Sequence, residues 1–113
     1  KKCRMIITTD HGTIKVTEPT KVVGDRNVNT NLRYKQGKSL DYVKKDVFEV
    51  RNPADVYLPK NNVSTAYIFA KQDYFFAYPN NYNHYVTYYR NTFQHGGISL
   101  EEMIIPYIVL SPK

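Results

Sequence analysis

The distribution of apolar residues predicts an α/β fold. Residues 3–9 and 107–110 are short runs rich in Ile, Val and Thr, the length and make-up of buried strands. Between them tyrosines stand at 78, 82, 85 and 89, a spacing of four, three and four that belongs to one face of a helix over 80–91. The expected arrangement is a sheet holding 3–9 and 107–110, with the helix packed on it through Tyr82, Tyr85 and Tyr89.

The remaining elements follow in chain order. Thr13-Ile14-Lys15-Val16-Thr17 alternates apolar and polar and reads as a second strand, broken by Glu18-Pro19. Residues 24–46 show no period and carry Gly24, Gly37 and a cluster of Asn and Asp, so they read as loop; 24–62 as a whole reads as a loop-rich insertion. Asn52-Pro53 opens one helical turn that Pro59 ends. Residues 65–70 and 74–78, aromatic-rich, flank Lys71-Gln72-Asp73 as a hairpin. Ser99 and Glu102 have the spacing of a capping box, which starts a short helix running to about Ile104.

A chain of 113 residues accommodates one small domain, and 42% hydrophobic content is enough for a core. A net charge of +6 suits anionic partners, phosphoesters and nucleic acid among them, and equally suits a basic domain with no such partner. The single cysteine, Cys3, excludes an internal disulfide and reads as a buried thiol in the first strand. No apolar run spans a membrane and no signal peptide is visible, which makes a cytoplasmic setting the expectation. Phosphate-binding glycine loops, a nucleophile elbow and a dinucleotide fingerprint are all absent from the sequence.

Two motifs carry chemistry. In Ile6-Ile7-Thr8-Thr9-Asp10-His11-Gly12 a strand ends in one oxygen and one nitrogen donor, a pair that suits zinc. Neighbours on a regular strand point to opposite faces, so both reach one ion only if the strand is already breaking at Asp10. The alternative is an Asp that caps a turn beside an ordinary polar His. In the second motif, His95-Gly96-Gly97-Ile98-Ser99-Leu100-Glu101-Glu102-Met103-Ile104-Ile105-Pro106, the glycines allow a close approach to a ligand or simply lead into the helix. Glu102 reads as a helix cap rather than an acid or base.

Arg33 and Lys35 lie in the basic loop. They reach a phosphate oxygen if that loop folds over the metal edge, and otherwise stand solvated. The tyrosine face invites stacking on nucleobases, but tyrosines at helical spacing more often form a packed face.

Together the two motifs, in this order, resemble the C-terminal part of the alkaline phosphatase superfamily, and its PglZ-type branch most of all. Residues 64–113 also resemble PglZ-type domains fused to bacterial response-regulator receivers. The resemblance covers essentially the whole chain. It implies a C-terminal fragment of an alkaline-phosphatase-like mixed sheet with flanking helices, and a parent that hydrolyses phosphoesters with two zinc ions. Asp10 and His11 would serve one ion and His95 the other. The superfamily's nucleophile lies N-terminal to the Asp-His strand, and only nine residues precede Asp10. The expectation is therefore a part of a domain, inactive alone and prone to self-association. A regulatory or protein-interaction module is the alternative.

Overall fold

A computed structural model describes residues 2–113. Among the described residues ten short strands form four small sheets, accompanied by two α-helices. The strands are β1 (Met5–Thr8), β2 (Ile14–Lys15), β3 (Glu18–Val23), β4 (Tyr34–Gly37), β5 (Asp41–Tyr42), β6 (Val47–Val50), β7 (Ala66–Ala70), β8 (Tyr74–Ala77), β9 (Phe93–Gln94) and β10 (Tyr107–Leu110). The helices are α1 (Tyr82–Tyr89) and α2 (Leu100–Met103). The fold is mixed α/β, as the sequence predicts.

β1 and β10 pair antiparallel, Met5 opposite Leu110 and Thr8 opposite Tyr107, so the two ends of the chain do share a sheet. Among the described residues that sheet has these two strands, and all eight of their residues are exposed. Helix α1 does not pack on it. Val86 is its buried residue, and Tyr89 lies against Ile14, Val16 and Phe75. Tyr85 is instead about two-fifths exposed and stacks on Tyr89. The expected contact of the helix with the terminal strands is thus replaced by contact with the central core, which already offers an apolar surface.

The core lies between the two three-stranded sheets, β5-β3-β8 and β4-β7-β6, where Val22, Val47, Ile68, Ala70 and Phe76 meet. β7 and β8 are joined by a tight turn but are not paired, so the expected hairpin does not form. The backbone of Leu32 and Arg33 occupies the partner's place: Ala70 N donates to Arg33 O at 2.8 Å and Phe76 N to Leu32 O at 2.9 Å. Glu18-Pro19 does not break a strand either. It opens β3, parallel to β8. Pro19 is tolerated because β5 pairs with β3 only at Val22 and Val23, which leaves the other side of Pro19 without a strand.

Residues 24–46, expected as loop, contain β4 and β5. The asparagines that signal turns here act as backbone mimics for β4. Asn29 accepts from Gln36 N and donates to Tyr34 O, while Asn31 accepts from Arg33 N and Tyr34 N. Further on, Asn52 precedes a 3-10 turn at Pro53–Val56, with Pro53 in the first position. Cys3, expected to be buried, is an exposed free thiol outside β1.

Candidate metal centre

The two motifs meet at one place. The short antiparallel pair β2–β9 sets Ile14 opposite Gln94, which brings the residues just before β2 beside those just after β9. There the imidazoles of His11 and His95 stack, with ring centroids 3.6 Å apart and planes 10° from parallel. β1 ends at Thr8, so the backbone leaves the strand before Asp10, as joint use of Asp10 and His11 requires.

His11 Nδ1 lies 2.7 Å from the Gly12 carbonyl. A carbonyl only accepts, so Nδ1 is the donor and Nε2 presents its lone pair in the neutral ring. Nε2 is 3.6 Å from Asp10 Oδ1, too far for a hydrogen bond. That separation fits a shared ion: zinc bound at about 2.0–2.1 Å by each donor in a tetrahedral site spans roughly 3.3 Å between them. A nitrogen fixed by a backbone carbonyl on its far side is also the usual support of a metal-bound histidine. The donor set is partial. Among the described residues no group of three or more His, Cys, Asp or Glu side chains is placed to hold an ion.

Gly12 is where the first motif docks on the second. Its N–H donates to Glu102 O at 2.8 Å. A Cβ at Gly12 would stand 2.0 Å from the carbonyl oxygen of Glu101. The glycine serves a close backbone approach to α2, beyond the turn expected of it. On the other side, Asn31 Nδ2 donates to the carbonyl of His95 at 3.1 Å.

Ser99 and Glu102 form the full capping box of α2. The Glu102 carboxylate does more than cap. Its Oε1 accepts from Gly97 N at 2.9 Å and from Arg33 Nε at 2.9 Å, and its Oε2 accepts from Ser99 Oγ at 2.7 Å and from Arg33 Nη2 at 3.2 Å. Burial alone would raise this carboxyl, but the hydrogen bonds from Arg33 and Ser99 outweigh it and hold Glu102 below the ordinary range.

Arg33 is therefore not a solvated loop residue turned toward a phosphate. It is fully buried, paired with Glu102, and donates through Nη1 to the carbonyl of Tyr74. Only spatial proximity reveals this role; nothing in the spacing of residues 33 and 102 signals it.

Lys35 is also buried. Its Nζ donates to Asn29 O at 2.8 Å and sits 5.0 Å from the centre of the Tyr78 ring. It lines a cavity of about 210 Å³ with Phe76, Tyr78, Tyr85 and Tyr89. Burial pushes its ammonium down to about 8.

The family model for the BREX system PglZ alkaline phosphatase-like domain matches residues 1–110. No curated protein matches the chain significantly. No helix among the described residues is long and apolar enough to cross a membrane. With a match over nearly its full length, the chain belongs to the PglZ family of alkaline phosphatase-like domains.

Proposed function

We propose that this chain is the metal-carrying C-terminal part of a zinc-dependent phosphoester hydrolase. The observation that supports this best is the convergence of Asp10 Oδ1 and His11 Nε2, 3.6 Å apart, beside the stacked ring of His95. Asp10 and His11 would hold one ion and His95 would give one donor to a second. When bound, the ions supply charge for a phosphoryl oxygen and a more acidic hydroxyl or water. The Gly12 carbonyl, accepting from His11 Nδ1, would fix the ring so that the Nε2 lone pair is available beside Asp10 Oδ1. The hydroxyl nucleophile and the remaining ligands would come from a segment preceding Asp10 in a parent protein. The wider setting, after the resemblance of residues 64–113, is an output domain of a response-regulator-like signalling protein.

Calorimetric zinc titration of the chain, with a chromogenic phosphodiester assay, tests this reading. Weak zinc binding lost in Asp10→Ala, with no turnover, is expected. In a parent protein carrying a Thr or Ser nucleophile, turnover is expected and should vanish in the same variant. A parent whose activity ignores Asp10→Ala would refute the assignment.

A non-catalytic interaction module is the second reading. It is favoured by the β1–β10 ribbon, whose eight residues are all exposed. Partner binding that survives both Asp10→Ala and His95→Ala would support it against the hydrolase.

A further inference from the structure

We infer that Arg33 and Glu102 form a positioning pair that sets the loops of His11 and His95 against each other. One residue, Glu102, holds both loops. Its carbonyl takes the N–H of Gly12, next to His11, and its carboxylate takes the N–H of Gly97, two residues after His95. Arg33 holds Glu102 through two parallel contacts, Nε to Oε1 and Nη2 to Oε2, the fork geometry that fixes a carboxylate in plane as well as in place. Arg33 is itself anchored. Its Nη1 reaches the carbonyl of Tyr74 in β8, and its own carbonyl takes Ala70 N of β7. Asn31, which accepts from Arg33 N, donates to the carbonyl of His95. Both histidine loops are thus tied, through one buried ion pair, to the two central sheets.

Stability alone is a poor reason for such a pair. A buried Arg–Glu pair gains little over a neutral pair of similar shape, because both charges lose their water. A Gln at 102 would still close a capping box with Ser99. What a neutral pair cannot reproduce is the forked grip that holds the carboxylate against Gly97. Space there is so tight that a Cβ on Gly97 would stand 2.6 Å from Oε2.

The experiment compares the chain with its Arg33→Met/Glu102→Gln double variant by NMR and by zinc calorimetry. Stacked imidazoles shift each other's ring protons upfield. Loss of those shifts at His11 and His95, with the methyl resonances of Val22 and Ile68 unmoved, is expected. A folded double variant that keeps the wild-type ring shifts would overturn the proposal. Should the double variant fail to fold, Arg33→Lys is read instead, since it keeps the charge and loses the fork; unchanged ring shifts there are equally fatal. The zinc arm rests on the hydrolase reading, and a drop in affinity of about tenfold is expected. If the wild-type chain binds no zinc, that reading fails, while the ring shifts still decide this one.

Discussion

His11 and His95 stack face to face, 3.6 Å between ring centres, although they come from opposite ends of the chain. The contact joins the loop before β2 to the loop after β9, and it brings Asp10, His11 and His95 together. If these side chains bind zinc, removing any of them should weaken binding while sparing the fold. Asp10 is nearly fully exposed, so Asp10→Ala should change stability by less than about 0.5 kcal/mol. For His11→Ala, zinc affinity should fall by at least the roughly 10–100-fold that even an outer-shell partner of a metal is worth. Calorimetry and urea unfolding on the same samples check both, and zinc affinity equal to that of the wild type in both variants would contradict the assignment.

Gly12 offers a sharper probe, because its constraint is steric. An added methyl group would meet backbone atoms of Glu101 and Ile104, neither of which can swing aside. Gly12→Ala should therefore push the Asp10–Gly12 loop off α2, at a cost of about 1–3 kcal/mol. It should also break the hydrogen bond from Gly12 N to Glu102 O. Chemical denaturation measures the first effect. Faster amide exchange at residue 12 than at Val16, whose N–H is bound to Thr92 O, reports the second.

Lys35 predicts an unusual rise of stability with pH. Burial lowers its ammonium from an ordinary 10.5 to about 8. Between those values the unfolded chain holds a proton that the folded chain has released, so stability increases as pH climbs from about 8 toward 10. The complete effect is on the order of 3 kcal/mol. Tyrosines oppose it only at higher pH: burial, with the Glu49 carboxylate alongside, pushes Tyr42 up to about 12. Unfolding midpoints taken from pH 7 to 10 should rise in the wild type and stay flat in Lys35→Met. Parallel profiles would mean that the amine keeps its ordinary affinity for protons.

How far these features are legible in the sequence depends on the range of the contacts behind them. The Ser99–Glu102 capping box and helix α1 are local patterns, and each stands where its pattern puts it. The separation of β7 from β8 is not legible locally, because a distant segment, Leu32-Arg33, supplies the hydrogen bonds that a hairpin would use. β4 is hidden in the sequence because the amides of Asn29 and Asn31, turn signals by composition, here bond to strand backbone. Arg33 reads as a loop cation in the sequence because no local rule indicates that it will be buried against Glu102.

The β1–β10 ribbon leads to the last prediction. Ile6, Ile7, Ile108, Val109 and Leu110 are each about half exposed, and Met5 and Tyr107 more so. Successive residues of a strand face opposite sides, so a continuous apolar run makes both faces of the ribbon apolar. Two-stranded sheets are marginal without cover, and each strand here also has a free edge in the described structure. The isolated chain should therefore self-associate, most simply as a two-fold dimer built on this ribbon. Sedimentation equilibrium at micromolar concentration should give a mass above 13.2 kDa. Ile7→Lys/Val109→Lys, which places charge on both strands, should return the monomer without loosening the core at Ile68 and Phe76. A wild-type chain that sediments as a monomer would exclude the ribbon as an adhesive surface.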